Sequence, residues 1–401
     1  MMVSAMRPRF NHRRSALAAF LCCAAFLCCA AALLCRAAAA QTETENWDRC
    51  EGANADLSIA ACTALIDSGK QDDENLAVAL NNRGIAYDVK GQHDQAIADF
   101  THAIQVKPDY AGAFSNRGNA HAARGELDQA IADYDQALKL RPDDATALNF
   151  RGVAYEATSQ TDSAIADFNR AIQLKPDFAD AFANRGNAYS DLRQFHLAIA
   201  DYTEALRLSP GDPATSYNRG VAYLVTGQLD AAIADFDSAI RLRPDLAEAF
   251  NDRGIARHNQ GEDGAAIADF DQAIRLQPEF AAAYKNRCIS RSITGQLQDA
   301  LADCNRSLTL HAGDASALDS RGFVYLKMKN AAAAIADYGA ALAINPKKAS
   351  SLYGRGLAKA LAGDVAAGEP DIAAALAIQP GIAAQFAKWG VSAPDAGGSK
   401  P

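Results

Sequence analysis

Two charged columns and four cysteines are the residues of this chain whose types and spacing could do chemistry. Arginine stands at Arg83, Arg117, Arg151, Arg185, Arg219, Arg253, Arg287, Arg321 and Arg355, every 34 residues. Sixteen residues after each comes an aspartate, from Asp99 and Asp133 through to Asp337 and Asp371. Such columns are either a ladder of shielded ion pairs, within a unit or across to the next, or a row of anion-binding arginines. Each arginine has its own carboxylate, and a buried unpaired charge is costly, so the ladder is the reading adopted. His93, His102, His121, His196, His258 and His311 follow no metal-ligand spacing. Neither a glycine-rich phosphate loop nor a Gly-x-Ser-x-Gly elbow occurs. The carboxylates are numerous but periodic, as scaffold is. No catalytic residue, metal site or cofactor is expected, and the chain is read as not being an enzyme.

The elements that must position these columns follow from the same period. Glycine comes after each arginine except where Cys288 stands, and proline recurs from Pro108 to Pro380 with Ala312 in the one vacant slot. Between them lies Ala-Ile-Ala-Asp-Phe/Tyr, as in Ala96–Phe100 and Ala130–Tyr134. In the unit 111–144, Phe114, Gly118 and His121 share one helix face, and Gly125 ends that helix. Ala130, Tyr134, Ala137 and Leu138 share the face of a second helix, and Pro142 closes the unit. Gly118 and Ala130 are expected where the two antiparallel helices approach most closely. One such unit cannot bury its apolar stripe alone; stacked units can.

The chain closely resembles the tetratricopeptide repeat family. In the unit 213–246 the family's places hold Ser216, Arg219-Gly220, Tyr223, Ala232, Phe236, Ala239 and Pro244, with arginine where the family usually has leucine. The resemblance covers nine units: 77–110, 111–144, 145–178, 179–212, 213–246, 247–280, 281–314, 315–348 and 349–382. It implies an all-α, right-handed α-solenoid of tandem helix-turn-helix units, whose concave groove holds a peptide or a protein partner. In several such superhelices an asparagine ladder grips peptide main chain; the matching residues are Asn82, Asn116, Asn184, Asn218 and Asn286, with Phe150, Asp252, Ser320 and Gly354 breaking the row. Asparagine is also simply common at this place. The family's lysine clamp for a carboxylate terminus is absent, since its places hold Val78, Gly112, Asp180, Ala214 and Ala282. Other expected groove residues are Asp88, Glu156, Asp180, Asp191, Tyr217 and Glu248, then Lys285, Phe323, Lys327 and Tyr353. The groove is thus acidic through its first two thirds and mixed later, or else a solvated face.

The ends differ from the array. Residues 1–40 read as a signal peptide: a basic stretch Arg7–Arg14, an apolar run Ala16–Cys35, and Ala38-Ala39-Ala40 before Gln41. The run is long enough that an uncleaved anchor competes, and it offers the one membrane contact expected. Residues 41–76 read as a degenerate capping repeat, with Arg49 in the arginine register, Cys50 in the glycine register and Cys62 in the close-approach alanine register. Cys50 with Cys62, and Cys288 with Cys304, are the expected disulfides, four buried thiols being the alternative; an even number in an exported chain is what pairing needs. In the last unit Gly368-Glu369-Pro370 replaces Ala-Ile-Ala, and Pro370 suits a helix's first turn better than its middle. Residues 383–401 read as a capping helix, with Ile382, Phe386 and Trp389 at i, i+4 and i+7, and a disordered tail. The formal net charge of -9 includes five arginines and no acids in the first forty residues. The acidic body excludes a basic nucleic-acid surface. The expectation is a periplasmic or secreted scaffold binding protein or peptide, with no nucleic acid and no small-molecule cofactor. A structural component of an envelope or export assembly is the alternative.

Overall fold

The computed structural model describes residues 42–392; the expected signal peptide and all but Ser392 of the expected tail lie outside them. The described residues form helices and turns, with no strand among them. They divide into two compact units between Pro176 and Asp177. The first holds α1 (42–50), α2 (Ala55–Asp67), α3 (Asp73–Val89), α4 (His93–Val106), α5 (Ala111–Ala123), α6 (Leu127–Leu140), α7 (Ala145–Ala157) and α8 (Thr161–Leu174). The second holds α9 (Ala179–Asp191), α10 (Phe195–Leu208), α11 (Pro213–Val225), α12 (Leu229–Leu242), α13 (Ala247–Gln260), α14 (Asp263–Leu276), α15 (Ala281–Ile293), α16 (Leu297–Leu310), α17 (Ala315–Lys327), α18 (Ala331–Ile344), α19 (Ala349–Leu361), α20 (Val365–Ile378) and α21 (Ile382–Lys388). This is an all-α solenoid: odd-numbered helices from α3 to α19 are the first of a pair, even-numbered ones the second.

Each pair is built around one close approach. A Cβ on Gly118 would stand 2.7 Å from the Tyr134 ring, and one on Gly152 would stand 2.6 Å from Phe168. Gly118 is therefore small because the aromatic ring of the second helix lies on its backbone. The close approach expected of Gly118 and Ala130 is thus, at Gly118, a contact with the Tyr134 ring. The turn between paired helices needs a left-handed residue, supplied by Gly125 at φ 77° and Gly227 at φ 78°, and by Ser159, Arg193 and Lys329 in the same slot. Where the first helix begins with a capping aspartate, as at Asp144 and Asp212, its carboxylate accepts from the first free N–H groups.

The arginine and aspartate columns meet. Arg219 donates from Nε and Nη2 to Asp235 at 2.7 and 2.8 Å, and from Nη1 to Thr203 Oγ1 of the preceding second helix at 3.2 Å. Arg117 likewise joins Asp133 to Thr101, and Arg287 joins Asp303 to Asp271. All nine arginines make the forked contact with their own aspartate. The bidentate geometry is the strong form of this bond, and the third nitrogen of Arg83, Arg117, Arg151, Arg219, Arg253, Arg287 and Arg321 ties neighbouring repeats together.

Both cysteine pairs are joined, with Cα separations of 4.9 Å for Cys50–Cys62 and 5.5 Å for Cys288–Cys304. Cys288 and Cys304 take the glycine and aromatic slots, so the bond spans the gap that a ring fills elsewhere. The N-terminal pair departs from the expected register. Its first helix ends at Cys50, whereas α3 runs on from Gly84 to Val89, and Cys62 is the eighth residue of α2, as Phe100 is of α4. Buried Ser58, Ala61, Cys62 and Leu65 match Ala96, Asp99, Phe100 and Ala103. Cys62 therefore occupies the aromatic slot, and the alanine assignment was four residues out. Alanine at 61 leaves no aspartate for Arg49, which is exposed and pairs only loosely with Glu45 at 3.9 Å. Pro370, expected in a first turn, lies inside α20. The carbonyl it leaves without an N–H partner is that of Ala366, itself an exposed residue.

Replacing Arg219 by Ala should strand the buried Asp235 carboxylate and lower the unfolding free energy by about 3 kcal/mol. Replacing both by leucine should cost much less. Chemical denaturation of the two variants checks this; equal losses would show that the stranded Asp235 carboxylate carries no penalty of its own. Reductant should lower the melting temperature through loss of about 2–4 kcal/mol per closed loop. A Cys288→Gly/Cys304→Phe variant, restoring the ring-on-glycine contact, should lose only the contribution of Cys50–Cys62 when reduced.

Candidate functional site

Four positions recur on the exposed stripe of each first helix, spaced four, three and four apart, and hence on one face. In α9 they are Asp180, Asn184, Asn187 and Asp191; in α3 they are Val78, Asn82, Ile85 and Val89. The asparagine column is the second of the four. In the first unit the stripe is largely apolar. Val78, Asn82, Ile85 and Val89 line a cleft of about 460 Å³ with the turn after Cys50, and Val89 is 74% exposed. Phe150 and Val153 of α7 are also exposed. In the second unit the stripe begins polar. Asp180, Asp191 and Glu248 are exposed, and Asn187, Asp191, Asn218 and Val221 line a small open pocket.

The asparagines are partly committed to the stack. Asn116 donates to Asn81 at 2.9 Å, Asn218 to Asn187 at 3.0 Å and Asn286 to Asn251 at 3.0 Å. One amide N–H of each is thus spent on the preceding repeat. Asn184 sits half-buried on α9. Tyr217, expected in the groove, donates its hydroxyl to Asp252 at 2.7 Å. Burial raises the Tyr217 phenol well above its ordinary value, and it pushes the Asp252 carboxyl above the usual range despite hydrogen bonds from Tyr217 and Asn251. Of the other charged groove residues, Asp88 lies 2.7 Å from His93, and Lys285 stands 3.7 Å from Asp314.

Two expected groove residues are not open to a partner. Phe323 and Tyr353 are 3% and 4% exposed, because α21 covers them. Tyr353 meets the Phe386 ring edge-on at 4.9 Å, and Phe323 meets Phe386 and Trp389, both at 5.5 Å. Ile289, Ile293 and Leu357, stripe residues of α15 and α19, join the same apolar cluster. The sequence reading singled out none of these three, nor Ile85, Val89 and Val153. Their signal was present as a column three residues after the asparagines, which reads Ile85, Val153, Val221, Ile289, Phe323 and Leu357 among its members.

Tetratricopeptide repeat models match residues 115–177, 184–247 and 321–381, and two others match 77–110 and 247–280. The chain belongs to the tetratricopeptide repeat family. Its repeats are therefore those of a protein–protein interaction scaffold, with protein or peptide as the partner class. No curated protein matches it. Among solved structures it is similar to YrrB, described as a TPR protein with an unusual peptide-binding site, at 28% identity over 46% of this chain and 95% of that one, with a TM-score of 0.42. It is also similar to the APC/C hetero-tetramer Cut9-Hcn1, at 20% identity over 75% of this chain and 58% of that one, with a TM-score of 0.49. PilF of Pseudomonas aeruginosa matches at 19% identity over 53% of this chain and 97% of that one, also with a TM-score of 0.49. Among the described residues of this tetratricopeptide repeat chain, no group of three or more His, Cys, Asp or Glu is placed to hold a metal.

Asp252 holds its proton to higher pH in the folded chain than in the unfolded one. The stability linked to that proton is present at low pH and lost as pH rises through the folded pKa. Asp252→Asn keeps an acceptor for Tyr217 and removes the ionisation. The variant should melt higher than the parent at pH 7, with the difference shrinking below about pH 4, the unfolded carboxylate's range. Melting curves from pH 3 to 8 check it; a variant less stable at pH 7 would show that the charged form is the one the site favours.

Proposed function

We propose that this is an exported, non-catalytic scaffold that holds an extended segment of a partner protein along the first-helix stripe of its repeats. The observation that carries the reading is the division of charge. Arginines of the ladder spend their donors on scaffold aspartates and on the preceding second helix, while Asp180, Asp191 and Glu248 on the stripe stay exposed to solvent. Acidic side chains on an open, partly apolar surface favour a partner segment with basic residues between apolar ones. Export is supported by the basic, apolar and small-residue succession of residues 1–40 and by two disulfides, which persist in oxidising compartments.

The test is partner capture by cross-linking in native cell envelopes. Asp180→Lys, Asp191→Lys and Glu248→Lys together should cut capture at least tenfold with no change in melting temperature. Capture unchanged by the triple variant, but lost on altering exposed residues of the second helices, would place the contact on the opposite face and favour an envelope scaffold. Intact mass of the exported protein should correspond to a start near Gln41. A mass retaining residues 16–35 would mean an anchor.

A further inference from the structure

We propose that the stripe of α15, α17 and α19, bounded by His258 of α13, is a receptor for a short amphipathic helix. Residues 382–391 fill it in place of a partner helix that carries a bulky aliphatic residue followed by aromatic residues four and seven positions on. The proposal rests on reading the first-helix stripe as the binding surface, and it names the partner class for one stretch of it.

The first observation is where the segment goes. The backbone of α21 neighbours only α19 and α20, as a terminal cap would. Its side chains reach much further. Phe386 and Trp389 pack on Phe323 of α17, and the Trp389 ring lies 6.5 Å from His258 of α13. Val391 joins the cluster that holds Ile289 and Ile293 of α15. A cap need shield only the last pair; this segment runs back along the stripe of three repeats and reaches His258 of a fourth.

The second observation is that the surface is cut to the segment. The stripe is acidic or amide-bearing at Asp180, Asn184, Asn187 and Asp191, and becomes apolar at Ile289, Ile293, Phe323 and Leu357, where α21 lies. The fourth stripe position is a lysine once only, at Lys327. Its Nζ donates to the Trp389 carbonyl at 2.9 Å, at the end of α21 where a helix leaves its carbonyls without partners. A cation there also meets the negative end of the helix dipole. Burial lowers the pKa of Lys327, whose ammonium lies over the Phe323 ring at 5.8 Å. The site thus reads three features of its occupant: an aliphatic residue (Ile382), an aromatic pair (Phe386 and Trp389) and a helix C-terminus.

The third observation is that the occupant is weakly made. Seven residues are too few for a helix to stand alone in water, and the N-cap of α21 makes no side-chain hydrogen bond. The segment is helical because the stripe holds it, and its short tether through Gly381 supplies a high local concentration. A partner helix with the same pattern and a longer contact would exchange with it.

The probe is a fluorescein-labelled peptide of residues 380–392, with a scrambled peptide as control, followed by anisotropy. The hosts are the full chain, the chain with Phe386→Ala/Trp389→Ala, and the chain with twelve Gly/Ser residues inserted after Gly381. The insertion leaves every side chain of the apolar cluster in place, breaking only hydrogen bonds at the start of α21 such as Ile382 N–H to Gln379 O, and so remains informative if the double variant fails to fold. Both altered hosts should bind the peptide at least tenfold and threefold more tightly, respectively, than the parent. Adding Lys327→Met to the insertion host should cost at least threefold. Equal binding by all hosts, or none by any that keep a cooperative melt, overturns the proposal. A dimer of the insertion host that binds no peptide also overturns it, assigning the stripe to a second copy's own segment. Partner capture through Asp180, Asp191 and Glu248 is measured separately, so either reading can fail without the other.

Discussion

The forked ion pair between each arginine and the aspartate sixteen residues later is the interaction on which the stack depends. Two guanidinium nitrogens close the pair of helices, and the third reaches the preceding second helix through Thr101, Thr203 or Asp271. The charge is partly buried, which alone would be unfavourable. The second and third hydrogen bonds make it tolerable, and they do so only if neighbouring repeats keep one register. A repeat shifted by a single residue would bury an arginine against the wrong face of the second helix. The N-terminal pair illustrates the dependence from the other side. With alanine at 61 in place of the aspartate, Arg49 swings to the surface, and the Cys50–Cys62 bond holds the two helices instead.

The period, the pairing of helices and the arginine–aspartate contacts were all legible in the sequence, because each is repeated and a repeated physical requirement leaves a column. What was not legible lies where the column is broken. A first helix that ends at Cys50 moves Cys62 by one helical turn, and nothing in the spacing of Cys50 and Cys62 announces that shift. Two of the expected groove residues, Phe323 and Tyr353, are covered for a related reason. Phe323 lies on the stripe and Tyr353 beside it, but whether such a position is open depends on what folds over it. The covering segment, 382–391, lies beyond the last repeat and follows no period. Its i, i+4, i+7 pattern indicated an apolar face; which surface that face would meet is a tertiary fact.

Conserving the scaffold leaves only the stripe free to vary, and the stripe varies by stretch. In the first unit it is apolar and open at Ile85, Val89, Phe150 and Val153. In the second it passes from carboxylates and amides to aliphatic and aromatic residues. Each stretch rests on an identical pair of helices, so its chemistry can change without disturbing the arginine ladder on the next helix face. The tetratricopeptide architecture separates stability from recognition in this way: one residue of each turn is held by the stack, and its neighbour is presented to solvent.

That separation bears on why an apolar stretch is covered in one unit and open in the other. An exposed contiguous apolar patch invites association. On α15, α17 and α19 the aromatic and aliphatic stripe residues are contiguous, and the chain supplies its own cover. On α3 and α7 the apolar positions are separated by α5, whose stripe holds Gly112, Asn116, Asn119 and Ala123. Asn119 is further occupied as the acceptor of the Tyr134 hydroxyl at 2.7 Å. The apolar surface is thereby broken into pieces small enough to face water, while the unbroken piece is the one that carries a helix. The same rule predicts the fate of a change in α5: Asn116→Leu with Asn119→Leu would join the pieces into one patch and free the Tyr134 hydroxyl. The variant should self-associate at concentrations where the parent is monodisperse, and light scattering against concentration would show it; a variant that stays monodisperse would mean that contiguity on the stripe does not govern whether it needs a cover.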